Sequence, residues 1–399
     1  MSLHFGKTSP LEEGVSYRLP FRSILERILC VSEEWSLTQA RVRILFLLVV
    51  CGLFVSVPVL RAQTDSVLLP GPKPADVSAE WKQLAGIYRR DSTMSALILE
   101  SDKKLFWVET TDHLDVRVGS PQFEIHISDS KPPAYSVRRG EHGDSPFAIS
   151  YAPSGAISGL KIGEDFYRRT DAGADPAHFF HIRPAKPIEQ LRAAALAAQP
   201  PDEAGPFRKP DLVELAGLDA SIHLDIRYAQ SNNFLSTPVY TQARAFLQRP
   251  AAEALLRVVR ELQPLGYGLL IHDAYRPWYV TRIFWDATPA ADHIFVADPQ
   301  KGSRHNRGCA VYLTLYDLAS GKPVEMPGLY DEMSPRSFPT FSGGTSLQRW
   351  HRDLLRRAME SEGFTVNEDE WWHFDYKDWK YYPILNVPLE GLGSAAPSS

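Results

Sequence analysis

The sequence predicts an α+β protein in two folded parts, a small antiparallel β-domain followed by a larger domain of mixed helices and strands. Three observations predict it. Short runs with period-two alternation recur between turn signals from Glu80 to Asp171. An Ala-, Pro- and Gln-rich stretch over residues 184–210 then reads as an inter-domain linker, part of it a short helix. Beyond Asp211, helical and strand patterns follow one another without the strict alternation of a parallel doubly wound sheet.

A length of 399 residues agrees with two folded units. Hydrophobic residues at 44% and charged residues at 23% are ordinary for a globular protein. The net charge of -5 gives no electrostatic footprint for nucleic acid, so no such partner is expected.

Residues 1–62 read as an N-terminal extension that ends in a targeting segment. Ile44 to Val59 is an almost unbroken apolar run, preceded by Arg41 and Arg43 and followed by Ala62, after which a signal peptidase can cut. The run is short for a bilayer span, which favours a secretory signal; its distance from Met1 suits a retained single-span anchor. Either reading places the rest of the chain in the periplasm or outside the cell. An N-terminal anchor over residues 44–59 is the one membrane connection expected. Cleavage after Ala62 leaves Cys309 alone of Cys30, Cys51 and Cys309, so no intramolecular disulfide is expected.

Residues 63–79 read as a linker, and residues 80–183 as the β-rich accessory domain. Its expected strands include Ser95–Glu100, Lys104–Glu109, Gln122–Ile127, Phe147–Tyr151 and the series over Ile157–Tyr167, arranged as a small sheet or half-barrel. Its residues bring no nucleophile, base and metal ligand together. His126, His178 and His181 read as surface or packed histidines.

In the domain over residues 211–392, Arg249-Pro250 opens a helix with proline in its first turn, and Leu255, Leu256, Val258, Val259 and Leu262 form its apolar stripe. Gly266 ends it, and Tyr267–His272 follows as a buried strand. A second helix starts near Thr345-Ser346, turns Leu347, Trp350, Leu354, Leu355 and Met359 inward, and stops at Gly363. Cys309–Leu315 and the stretch from Trp371 to Tyr376 read as core strands.

The chemistry concentrates in two segments of this domain. His305 lies between Gly302-Ser303 and Gly308, on a loop feeding a strand, and Glu370-Trp371-Trp372-His373 lies downstream. Two histidines and a carboxylate on separate segments are the parts of a catalytic zinc site that keeps one position open for water. Glu370 suits the general base of such a site. An ion pair between Glu370 and His373 beside two core tryptophans explains the short pattern equally well. Three other residues favour the catalytic reading. Arg276, pinned by Pro277 at a strand end, suits an oxyanion stabiliser. Asp331, after Tyr330, puts an acid on a loop where it can take a substrate ammonium, and Ser303 can hydrogen-bond a carboxylate.

Several motifs occur together in order: Asp225-Ile-Arg-Tyr-Ala229 with Asn233-Phe234, Asp273-Ala-Tyr-Arg-Pro277, Ser303-x-His305-x-Arg-Gly308, Tyr330-Asp331 and Glu370-Trp-Trp-His373. In these motifs residues 211–388 resemble the D-alanyl-D-alanine dipeptidases, the VanX type within the zinc DD-peptidase family. The resemblance implies a Hedgehog/DD-peptidase-like α+β fold and one zinc ion per chain on His305 and His373. It implies Glu370 as base, Arg276 as transition-state stabiliser, and Tyr228, Ser303 and Asp331 as contacts to a small D,D-dipeptide. The expected function is hydrolysis of D-alanyl-D-alanine to two D-alanines in cell-wall peptide turnover.

One position departs from the family pattern. Tyr312 stands where the third metal ligand is an Asp. A neutral phenol is a far poorer zinc ligand than a carboxylate at neutral pH. Two alternatives therefore accompany the expected activity: a catalytically impaired protein that binds wall fragments, and a DD-carboxypeptidase acting on longer wall peptides.

Overall fold

The computed structural model describes residues 68–92, 94–110, 122–138, 143–171 and 180–393. The apolar run over 44–59, the cleavage position at Ala62 and His178 lie outside the described residues. No described helix is long and apolar enough to cross a membrane. Residues 65–399 form one compact unit, so its two parts are packed together.

The first part opens with α1 (Ala79–Leu84), capped by Ser78, whose side chain accepts from the Trp81 amide. Eight antiparallel strands follow: β1 (Gly86–Arg89), β2 (Ser95–Ser101), β3 (Lys104–Thr110), β4 (Gln122–Ile127), β5 (Tyr135–Arg138), β6 (Asp144–Tyr151), β7 (Ile157–Ile162) and β8 (Asp165–Arg169). They form a closed barrel, because β8 pairs back onto β1 through Tyr88↔Arg169 and Arg89↔Arg168. The interior is filled by side chains, with Trp107 edge-on to Tyr167 at 4.9 Å between ring centroids. His126 is exposed on β4, and His181 is exposed too.

Period-two alternation identifies strands but carries no information about which edges meet, so closure was not readable from it. β2 also breaks the expected alternation. Ala96 and Ile98 face the barrel core, while Leu97 and Leu99 on the outer face are buried as well, beneath Phe341 of the second part.

The second part begins with α2 (Ile188–Ala197), which sinks Ile188, Leu191 and Ala195 into the main core. Then come β9 (Leu212–Glu214), β10 (Ile222–Leu224), β11 (Phe246–Gln248), α3 (Arg249–Leu262), β12 (Tyr267–Asp273), α4 (Trp278–Ala287) and β13 (Ala310–Asp317). α5 (Ser346–Ser361), β14 (Phe364–Val366) and β15 (His373–Tyr376) complete it. Five strands form one sheet in the order β10-β12-β13-β15-β14, with only the β10–β12 pair parallel, and β9 pairs with β11 separately.

Both expected helices are present, but Leu256 and Leu347, expected on their inward faces, sit at the edge of the packed stripe and are only half-buried. α3 has proline in its first turn, and the chain after it turns at Gly266 with φ +87° before β12. α5 starts with a full capping box between Thr345 and Gln348. Trp371 and Trp372, read as strand, precede β15 as a turn. The register sets the site: Asp273 on β12 lies opposite Tyr312 on β13, and Tyr312 lies opposite His373 on β15. Val311, Leu313 and Leu315 alternate with Tyr312 and join the core with the apolar faces of α3 and α5.

Candidate active site

Three adjacent strands place Asp273, Tyr312 and His373 in one row, and loops at the strand ends add the remaining groups. Tyr228, Arg276, Ser303, Tyr312, Asp331, Glu370 and His373 line one cavity of about 250 Å³. Six of the seven site residues expected from the sequence are in that lining. The seventh, His305, is fully buried just behind it, with its ring 4.9 Å from that of His373 and 4.3 Å from that of Tyr312.

His305 sits in a short 3-10 turn between Gly302 at φ +71° and Gly308 at φ +67°. Its Nδ1 donates to the Ala274 carbonyl at 2.6 Å. That bond fixes the tautomer and leaves the Nε2 lone pair free; Nε2 has no hydrogen-bond partner among the described residues. Burial, with Arg276 close by, holds the ring well below its usual pKa and therefore neutral.

His373 is placed differently. Its Nδ1 is 2.8 Å from Glu370 Oε2 and its Nε2 is 3.0 Å from Asp375 Oδ1. Burial opposes charge on the ring, but Asp375 and then Glu370 outweigh it and raise the pKa to about 9. Glu370 Oε2 also accepts from the Tyr312 hydroxyl at 3.1 Å. Burial, then the Glu370 charge, push the Tyr312 phenol well above its usual range, so it keeps its proton.

Arg276 is buried at the end of β12. Its Nε donates to Asp273 Oδ2 at 2.9 Å, and Asp273 Oδ1 in turn accepts from the Tyr240 hydroxyl at 2.8 Å. The guanidinium lies 5.1 Å from the Tyr312 ring centroid and 5.3 Å from that of Tyr228. Burial works against its charge, and the Asp273 carboxylate more than offsets this.

Asp331 adopts φ +60°, a left-handed conformation that non-glycine residues seldom occupy. Its Oδ1 accepts from the Tyr228 hydroxyl at 2.9 Å, while Oδ2 is buried with no hydrogen-bond partner among the described residues. Burial raises this carboxyl to about 8. Ser303 lines the cavity, and its Oγ accepts from the His305 amide at 3.2 Å.

Three further residues, none of them a candidate from the sequence, build this geometry. Asp273 and Tyr240 orient Arg276. Asn306 ties the His305 loop to the Arg276 segment, donating to the Arg276 carbonyl and to Thr281 Oγ1, each at 2.8 Å. Asp273 and Asn306 lie inside the quoted motifs, so adjacency to Arg276 and His305 was the available signal; nothing marked Tyr240.

Residues 208–388 match the D-ala-D-ala dipeptidase family. The D-alanyl-D-alanine dipeptidase of Escherichia coli is 35% identical over 175 residues, which are 44% of this chain and 89% of the relative. The chain belongs to the D-alanyl-D-alanine dipeptidase family. The Enterococcus faecalis enzyme of that name is 34% identical over 185 residues, 41% of this chain and 92% of the relative. That of Streptomyces coelicolor is 31% identical over 182 residues, 40% of this chain and 89% of the relative.

The dipeptidase family is one of metallopeptidases, generally zinc-dependent. A catalytic zinc site of this kind takes three protein donors and an open position. His305 offers a free imidazole nitrogen. His373, however, has a carboxylate on each nitrogen, and the third position carries a phenol that keeps its proton. Among the described residues no three His, Cys, Asp or Glu side chains are grouped to hold a metal ion. The donors present do not fit a three-ligand zinc site, and Tyr312 is where they fall short.

Proposed function

We propose that the cleft takes a free D,D-dipeptide such as D-alanyl-D-alanine and hydrolyses it slowly, with Tyr312 limiting the rate. The observation that carries this reading is that a buried carboxyl, Asp331, and a buried guanidinium, Arg276, line one small cavity together with Glu370. A short zwitterion matches that polarity. Its ammonium would pair with Asp331, whose Oδ2 is otherwise unpartnered, and Tyr228 would steady that carboxylate from the other oxygen. Ser303 would hydrogen-bond the substrate carboxylate.

Arg276 would face the scissile carbonyl oxygen, where negative charge develops as water adds. It is already oriented by Asp273 and the flanking rings, so little reorganisation accompanies reaction. Glu370 would accept the proton of the attacking water and pass it to the leaving amine. Tyr312 acts against this step, because its hydroxyl already occupies Glu370 Oε2. Outside the cytoplasm, where the N-terminal segment would place the chain, the substrate would come from cell-wall peptides.

Purified protein incubated with D-alanyl-D-alanine should release D-alanine. The N-acetylated dipeptide should not be cleaved, because it lacks the ammonium, and neither should a capped pentapeptide ending in the same two residues. Cleavage of the pentapeptide in preference to the free dipeptide would replace this reading with a carboxypeptidase. Dipeptide binding without release would replace it with a wall-fragment-binding protein.

A further inference from the structure

The segment that carries Asp331 is the long connection from β13 to α5, residues 318–345, whose only regular element is one 3-10 turn at Pro335–Ser337. A connection of that length needs external contacts to hold a single shape. The barrel supplies them. Phe341 is buried against Ile87, Leu97, Leu99 and Val108 on the barrel's outer face. Leu99 forms a parallel bridge with Gly344, and the Glu100 amide donates to the Gly344 carbonyl at 3.0 Å.

Glu100 is the centre of this contact. It is 2% exposed, rare for a glutamate, and stands near the end of β2 on the same strand face as Ala96 and Ile98. One carboxylate oxygen accepts from the barrel's Lys103 amide at 2.8 Å, and the other from the Ser346 amide at 2.7 Å. The second bond sets a negative charge at the N-terminus of α5. Arg349 on the same helix donates to the Glu100 carbonyl at 2.7 Å. At the same end of the barrel, just past β8, Asp171 lies 3.8 Å from Arg336. The far side of the segment joins the turn before β15, since the Ser337 carbonyl accepts from the Trp371 amide at 2.8 Å, one residue from Glu370.

We infer that the barrel is a working part of the active site: by way of Glu100 and the patch that receives Phe341, it holds the 327–345 segment where Asp331 meets the substrate. Glu100 is a positioning residue, not a catalytic one. The effect on turnover rests on the reading of Asp331 as the partner of the dipeptide ammonium; the effect on the segment's order does not.

The test compares Glu100→Ala, Phe341→Ala and Glu100→Gln in the full chain. In Glu100→Gln the amide oxygen still accepts from Ser346. Amide hydrogen exchange over residues 327–345 should accelerate in both alanine variants and return towards wild type in Glu100→Gln, while β3 around Trp107 stays protected and so shows an intact barrel. KM for D-alanyl-D-alanine should rise about three- to thirtyfold in the alanine variants with kcat changed much less. Unchanged exchange over 327–345 with the barrel folded would overturn the inference. Faster exchange with an unchanged KM would overturn it too. Absence of turnover in the wild-type protein would instead remove the proposed substrate, and the exchange data would still decide whether the barrel orders the segment.

Discussion

The Tyr312 hydroxyl donates to Glu370 Oε2 at 3.1 Å, on the same oxygen that lies 2.8 Å from His373 Nδ1. The residue proposed to stand at the third metal-ligand position therefore occupies the residue proposed as base, and Glu370 in turn occupies a histidine proposed as ligand. One substitution couples the three roles. Tyr312→Asp breaks the coupling by removing the phenol and supplying a short carboxylate next to His305 and His373. Zinc content, measured on the purified proteins, should rise towards one per chain in Tyr312→Asp. D-Alanine release should rise at least about tenfold, because a ligand to the metal matters no less than the groups that orient ligands. Equal zinc content and equal activity in the two proteins would show that Tyr312 is not the limiting residue.

Arg276 is held as a planar fork, with Asp273 on one edge and aromatic rings against its faces. A lysine keeps the charge but neither the fork nor the stacking. Arg276→Lys should therefore lose nearly as much kcat as Arg276→Ala, on the order of 10²–10³ for a lost oxyanion donor. KM should move far less in both. Full activity in the lysine variant would reduce the role of Arg276 to simple charge.

The parts of this protein legible in its sequence were those with local causes. Pro250 and Gly266 bracket α3, Thr345 and Gln348 cap α5, and short motifs named seven site residues, six of which line the cleft. What was not legible depends on pairing across the chain. Closure of the barrel requires β8 to meet β1, and β5 is a short run after two prolines that carries little pattern. The packing of Phe341 onto Leu97 and Leu99 makes β2 buried on both faces, a property of the partner segment rather than of β2 itself. Tyr240 orients Asp273 from a distant loop, and no periodicity or motif pointed to it.

Gly308 closes the His305 turn at φ +67°, and a Cβ there would stand 2.5 Å from Leu212 Cδ2 and 3.3 Å from Gln248 Nε2. Gly308→Ala should cost about 1–3 kcal/mol, combining left-handed strain with overpacking. Thermal unfolding would register this as a fall of several degrees. Because the turn carries His305, activity should fall along with it. An unchanged melting temperature would show that the turn can relax without its glycine.

Asp331 gives the protein a pH dependence whose sign follows from burial. Its carboxyl titrates near 8 in the folded chain against about 3.9 in an unfolded one. Between those values the folded state holds a proton that the unfolded state has lost, so this residue makes stability fall as pH rises from about 4 to about 8. Asp331→Asn removes the penalty. The variant should melt above wild type by a margin that grows from pH 5 to pH 8, reaching about 1 kcal/mol or more, equivalent to about 2–4 °C. The proposed dipeptide reverses the balance, since its ammonium favours the ionised carboxylate. Binding should release a proton and tighten from pH 6 to pH 8 in the wild-type protein, and calorimetry in buffers of different ionisation enthalpy would detect that proton. Asp331→Asn should bind weakly at every pH. A stabilised variant that binds the dipeptide as well as wild type would separate the buried carboxyl from substrate recognition and move the ammonium site elsewhere in the cleft.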